Sequence, residues 1–262
     1  MKFLGIIPAR YASTRFPGKP LADMRGKPMI QRVYEQVHSS VDRLVVATDD
    51  ERIEAAVKAF GGHVVMTSAS HRSGTERCSE ACSKTGGRFD AVINIQGDEP
   101  FVRPAQIELL KNCFDQPGVH IATLVKPLDA GDDFETALFN PNSPKVVLNK
   151  HGEALYFSRS VIPYIRGKEY TTWLSSHTFY RHIGLYAYRT ATLDEIVRLP
   201  PSPLELAENL EQLRWIEHGY KIQTAITHND TVGIDTPEDM ARALVFLDAS
   251  AQENQKTPTA RT

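Results

Sequence analysis

The chain contains no apolar run approaching the ~20 residues that a membrane-spanning helix requires, and its opening Met1–Pro8 stretch is too short for a signal peptide. A cytoplasmic address without membrane contact is therefore expected. Cysteine is scarce, with three residues and no C-x-x-C pair. Cys78 and Cys82, four apart, fall on one helix face, and with Cys113 they read as buried structural thiols. An excess of either charge is also missing: 30 Lys+Arg against 32 Asp+Glu leave a formal net charge of -2. No global field draws such a chain to nucleic acid, and an anionic substrate must be met locally. The dinucleotide fingerprint G-x-G-x-x-G does not occur. The P-loop fails as well, because Ser13 stands five residues before Gly18 and Pro20 follows Lys19. These absences exclude a nicotinamide dehydrogenase of the usual type and a P-loop kinase. There is no internal repeat and no interdomain linker.

What is present suits one α/β unit, since 262 residues at 41% hydrophobic content are enough to bury a full core. Short apolar runs at Leu4–Ile7, Leu44–Ala47, Val64–Met66 and Ala91–Ile95 read as buried parallel strands. Helical patterns lie between them at Met29–Ser39, Glu51–Phe60 and Glu76–Lys84. This alternation predicts a Rossmann-like, mostly parallel central sheet with helices on both faces. From about Ala122 the pattern changes to strands at Ile121–Val125, Lys145–Leu148, Ala154–Phe157 and His182–Tyr188, an antiparallel extension of the sheet. Helices are expected again at Thr190–Arg198, at Leu206–Glu217 and after Asp235-Thr236-Pro237-Glu238, where a cap with Pro in the first turn opens a helix. Residues 1–249 are expected to form one domain, followed by a frayed polar tail over 250–262.

The first strand leads into Pro8-Ala9-Arg10-Tyr11-Ala12-Ser13-Thr14-Arg15-Phe16-Pro17-Gly18-Lys19-Pro20. Ligands of open parallel sheets sit at the carboxyl ends of the strands, and three cations on one such loop suit a polyphosphate. A second segment, His71-Arg72-Ser73-Gly74-Thr75-Glu76-Arg77, carries the S-x-x-E pattern of a helix cap at Ser73 and Glu76, whose free amides also accept anions or base carbonyls. A third, Gln96-Gly97-Asp98-Glu99-Pro100, ends a buried strand in paired acids. Asp98 is either a turn former or a ligand for a hard cation. Asp235 reads equally well as the N-cap of the last helix or as a second carboxylate for a metal.

The run from Ile7 to Leu21 resembles the signature loop of the CMP-Kdo synthetases, the 3-deoxy-manno-octulosonate (Kdo) cytidylyltransferases. The likeness continues in order from about Phe3 to Phe246 and departs from the family over Arg166–Tyr180. It implies a nucleotidyltransferase fold and transfer of CMP from CTP to the C2 hydroxyl of Kdo, with Mg2+ as cofactor and lipopolysaccharide biosynthesis as the setting. By resemblance Pro8, Ala9, Arg10, Lys19, Ser73, Gly74, Arg77, Gln96 and Asp98 belong to CTP, and Asp98 and Asp235 to the metal. The catalytic set is Arg10, Arg15, Lys19, Asp98 and Asp235, with Lys19 nearest the leaving pyrophosphate. Arg15, Arg159, His182, Tyr186, Glu211 and Gln212 fall to the sugar acid. A homodimer is implied too, with sugar-acid binding and dimer contacts at about 122–215. Two rival readings are a cytidylyltransferase for sialic acid or an amino-substituted Kdo, and a CTP sensor without chemistry.

Overall fold

The computed structural model describes residues 1–12, 15–229 and 233–256. Ser13 and Thr14 of the loop after the first strand, residues 230–232, and 257–262 of the expected tail lie outside the described residues. Nine strands form one sheet: β1 (Phe3–Ala9), β2 (Arg43–Thr48), β3 (Val64–Met66), β4 (Ala91–Asn94), β5 (Ile121–Pro127), β6 (Lys145–Leu148), β7 (Ala154–Ser158), β8 (Tyr180–Arg189) and β9 (Ile222–Ile226). Their order is β3-β2-β1-β4-β8-β5-β9, with β6 pairing to both β7 and β8. The β1–β2, β2–β3, β1–β4 and β5–β9 pairs are parallel. Strand β8 runs antiparallel to β4 and β5, and β6 runs antiparallel to β7 and β8. The mostly parallel sheet with an antiparallel extension is thus the architecture expected from the strand runs.

Both faces of the sheet are covered, which is why the central strands β1 and β4 are near-continuous apolar runs rather than alternating with polar residues. Along β1, Phe3, Ile7 and Ala9 join one core with Ile30, Val33, Val57, Ile107 and Leu110. Leu4 and Ile6 point the other way, into a core with Cys78, Ala81, Leu193, Ile196, Leu213 and Trp215. The helices Met29–Val37, Glu51–Ala59 and Pro104–Cys113 therefore contribute to one face, and Gly74–Thr85, Thr190–Ile196 and Glu211–Glu217 to the other. Cys78 and Cys113 are buried and Cys82 half-buried, all as free thiols; burial raises all three, Cys113 to about 11.

Three elements differ from expectation. The helix expected over Leu206–Glu217 is two, Pro203–Glu208 and Glu211–Glu217, because Asn209 adopts a left-handed conformation with φ of 52° that stops the first. The sequence reading leaves Pro104–Cys113 without an element. It is a helix with Pro in its first turn, and the Arg103 amide donates to the Gln106 side chain at 2.9 Å. The final helix, Pro237–Lys256, continues past Ser250 into the stretch read as tail.

The strand order reverses beside β1. The chain leaves β1 toward β2 on one side and leaves β4 toward β5 on the other, so the two exits open side by side over the crevice where open sheets bind ligands.

Candidate active site

The exits from β1 and β4 approach closely. A Cβ on Gly97 would stand 2.9 Å from the Pro8 carbonyl oxygen, too near for any side chain. Glycine there lets the two loops close into the floor of one cleft. On the β1 side the chain doubles back at Gly18, whose φ of 71° is left-handed and whose amide donates to the Tyr11 carbonyl at 3.0 Å. That reversal starts the short Lys19–Leu21 turn and aims Lys19 inward. The resulting cleft has a volume of about 340 Å³ and is lined by Pro8, Ala9, Arg10, Arg15, Lys19, Ser73, Gly74, Arg77, Gln96, Gly97, Asp98 and Asp235, with Pro20, His71 and Arg72.

At its centre the Lys19 ammonium donates to Asp98 Oδ2 at 2.7 Å and to Asp235 Oδ1 at 3.2 Å. Arg15 lies 3.1 Å from the same Asp235 oxygen. Asp98 and Asp235, far apart in sequence, are brought together by a backbone bond, the Ile234 amide donating to the Asp98 carbonyl at 2.9 Å. Asp235 is not the helix cap. Thr236 takes that role, its Oγ1 accepting from the Asp239 amide at 3.2 Å, while Asp239 accepts from the amides of Asp235 and Thr236 at 3.0 and 2.9 Å. With the cap satisfied by its neighbours, the Asp235 carboxylate is left to face the cations. Among the described residues no three His, Cys, Asp or Glu side chains group as a metal cage. Two convergent carboxylates beside a basic wall match what Mg2+ asks of a protein when substrate phosphates supply the remaining oxygens.

The paired acids after β4 have separate fates. Asp98 faces the cleft, whereas Glu99 is buried beneath it. Burial first, and then the neighbouring Asp98 charge, push Glu99 up to about 8 against the pull of Arg181, so it is neutral at physiological pH.

On the opposite wall Ser73 caps the helix Gly74–Thr85, its Oγ accepting from the Glu76 amide at 3.1 Å. Arg77 is buried beneath that turn, bonded to Thr67 Oγ1 at 2.6 Å and paired with Asp49 at 3.1 Å. The same helix is tied to the loop before it through Glu80, which accepts from the Ser68 amide at 2.8 Å and from His71. The Lys84 ammonium, then the Ser68 amide, hold Glu80 at about 2, with burial opposing and His71 assisting. A carboxylate depressed in the folded state stabilises the fold above its unfolded value and loses that contribution as pH falls toward the folded one. The stability gap between wild type and Glu80→Gln, read from urea midpoints, is accordingly expected to be full at pH 6 and to shrink by pH 3. A gap unchanged across that range would contradict the assignment.

The sugar-acid set is more dispersed. Among the described residues Arg15 alone of that set borders the cleft; Arg159, His182, Tyr186, Glu211 and Gln212 lie outside its lining. Arg159 donates to the carbonyls of Glu208 (2.7 Å), Pro141 (2.9 Å) and Asn209 (3.3 Å). His182 meets Thr123 Oγ1 at 3.1 Å and packs edge-on against Phe157. Desolvation pushes its ring down to about 3, so it is neutral. Its ring centroid lies 5.2 Å from that of Tyr186. Glu211 accepts from Thr75 Oγ1 at 2.6 Å, which joins the helix Glu211–Glu217 to the Ser73–Thr75 turn of the cleft. Burial raises its pKa, against the bonds from Thr75 and Ser73. Gln212 is buried with its Nε2 lacking a hydrogen-bond partner. Pro20, His71, Arg72 and Gly97 also line the cleft; they lie within the segments read from the sequence but were given no role there. Proximity to the assigned residues of those segments was the available signal.

The family model for cytidylyltransferases matches residues 4–222. The chain belongs to the cytidylyltransferase family. It is 70% identical over 247 residues to the 3-deoxy-manno-octulosonate cytidylyltransferase of Parabacteroides distasonis, covering 94% of this chain and 98% of that one. The Geobacter sulfurreducens protein of the same name is 45% identical over 94% of this chain and all of its own length. A solved CMP:2-keto-3-deoxy-manno-octonic acid synthetase in complex with CTP superposes at TM-score 0.85 and 43% identity, covering 95% of this chain and 100% of that one. A 4-diphosphocytidyl-2C-methyl-D-erythritol synthase from Anaerococcus prevotii, 12% identical with TM-score 0.60 over 94% of this chain and 99% of its own, shares the fold. The cleft of this cytidylyltransferase lies within the matched region except for Asp235, which the final helix brings back to it.

Proposed function

We propose that the enzyme transfers CMP from CTP to the C2 hydroxyl of 3-deoxy-D-manno-octulosonate and releases pyrophosphate, in the cytoplasm and in the service of lipopolysaccharide synthesis. The observation that carries this is the meeting of Arg10, Arg15 and Lys19 with Asp98 and Asp235 in one cleft, in a chain 70% identical to a relative named for that activity.

In-line attack on the α-phosphorus asks the protein for positioning and charge stabilisation rather than covalent chemistry. The first-strand loop, with Pro8 and Ala9 at its start, places Arg10 and Arg15 to fork onto phosphate oxygens. Lys19, a compact ammonium on a flexible stem, neutralises charge gathering on the leaving pyrophosphate. Ser73 and Gly74 offer the cytidine the free amides of a helix start, Arg77 fixes that turn from below, and Gln96, whose Nε2 donates to the Gly184 carbonyl at 3.1 Å, lines the wall between β4 and β8. Asp98 and Asp235 would hold Mg2+. When bound, Mg2+ supplies charge neutralisation for the triphosphate and acidifies the attacking hydroxyl.

The acceptor side belongs to Arg159, His182, Tyr186, Glu211 and Gln212 together with Arg15. A buried amide without a partner, as at Gln212 Nε2, is costly, and a ligand hydroxyl would satisfy it. Neutral His182 can donate to or accept from a sugar hydroxyl. A homodimer formed through the 122–215 part is supported by Leu155, Tyr164, Tyr170 and Leu206, large apolar side chains exposed there, since such surface marks association sites. Initial rates of pyrophosphate release with Kdo, sialic acid and an amino-substituted Kdo test the acceptor. Kdo is expected to exceed sialic acid by about 10²-fold or more in kcat/KM; equal rates would overturn the assignment.

A further inference from the structure

The two carboxylates and two cations at the centre of the cleft neutralise one another. The Lys19 side chain is only 12% exposed, and its ammonium sits within hydrogen-bond distance of both Asp98 and Asp235, with Arg15 against the same Asp235 oxygen. Two carboxylates converging on one point repel unless a cation stands between them. Here a strongly hydrated point charge stands in the place an oxygen-ligated divalent cation would take. Each group also has a second partner in the reaction: a triphosphate for the cations, a metal for the carboxylates. The two pairings exclude each other, because a divalent cation between the carboxylates would lie against the ammonium.

We infer that Lys19, assisted by Arg15, is an internal counter-ion that keeps the Asp98–Asp235 pair closed to divalent cations until a nucleoside triphosphate draws the ammonium away. This rests on the reading of Asp98 and Asp235 as the metal carboxylates. Its consequence is positive coupling between nucleotide and metal, and by linkage the coupling is reciprocal. Lys19 acting only as a phosphate ligand would make a different prediction, because its loss would then weaken nucleotide binding without changing metal binding to the nucleotide-free protein.

The test is calorimetric titration of Mg2+ into nucleotide-free wild type, Lys19→Met and Lys19→Gln, with the Mg2+-induced rise in melting temperature as a second readout. Lys19→Gln keeps a hydrogen-bond donor to Asp98 while removing the charge, and it guards against a packing defect in the Met variant. Both variants are expected to bind Mg2+ about tenfold or more tightly than wild type, and Asp98→Asn added to Lys19→Met is expected to abolish the gain. Equally weak binding by wild type and both variants, with wild-type turnover still lost to chelator and to Asp98→Asn, overturns the counter-ion and leaves the metal carboxylates in place. Tight binding that persists in the double variant overturns it too. Wild-type turnover that survives both chelator and Asp98→Asn overturns the metal reading, and the counter-ion with it.

Discussion

Asp98→Asn is expected to lower kcat by about 10²–10³-fold or more, the scale of losing a charge-stabilising group at a reacting centre, while the fold remains intact. Asn is isosteric, and the bond from the Ile234 amide is made by the backbone carbonyl of residue 98, so the join between the β4 exit and the final helix survives. The ion pair lost with Lys19 is partly solvated, and such pairs contribute about 0–1 kcal/mol. The separation of activity from stability is the informative part. Steady-state kinetics beside a thermal melt would check it, and near-normal turnover, or a large fall in melting temperature, would contradict the role given to Asp98.

Arg77→Met is expected to cost both stability and activity. The guanidinium is buried, with 5% of its side chain exposed, and Asp49 opposite it is 20% exposed. Removing one partner of such a pair leaves a desolvated carboxylate at about 3 kcal/mol, while the Thr67 hydroxyl keeps its bond to the Thr48 carbonyl at 3.2 Å. At about 2–4 °C per kcal/mol for a chain of this size, the melting temperature is expected to fall by roughly 6–12 °C. Because the same side chain ties the helix Gly74–Thr85 to Thr67 and Asp49 and lines the cleft, the KM for CTP is expected to rise in the folded fraction. Lys should restore little, since a point charge cannot engage Thr67 and Asp49 together as the planar fork does. A melt within about 1 °C of wild type, or full rescue by Lys, would contradict this account.

These two positions also show where the sequence is informative. Asp98 follows a buried apolar strand within one continuous segment, and the local pattern placed it at a strand exit; the cleft is built largely from three such segments. Choosing between a turn former and a ligand at Asp98, or between a cap and a ligand at Asp235, needs side-chain directions. Thr236 and Asp239 remove the cap role from Asp235 by completing the cap themselves. The Arg77–Asp49 pair joins separate elements and leaves no periodic trace. At Leu206–Glu217 the apolar spacing of Leu206, Leu210 and Leu213 stays in phase across the break at Asn209, so periodicity reads one helix where the backbone makes two. The helix at Pro104–Cys113 was legible from Pro104 and the Ile107–Leu110 spacing. Glu99 and Asp98 are indistinguishable by type, and only their opposite directions after β4 make one a cleft carboxylate and the other a neutral buried acid. Resemblance supplied the set expected to meet the sugar acid, and apart from Arg15 the structure places it outside the lining of the cleft.

The most direct measurement is 31P NMR of the purified enzyme with CTP, Kdo and Mg2+, each omitted in turn. A phosphodiester resonance of the CMP–sugar conjugate growing in step with pyrophosphate, and only with all three present, is the result predicted here. Pyrophosphate accumulating beside free CMP with no conjugate, or conjugate forming equally well without Mg2+, would contradict it.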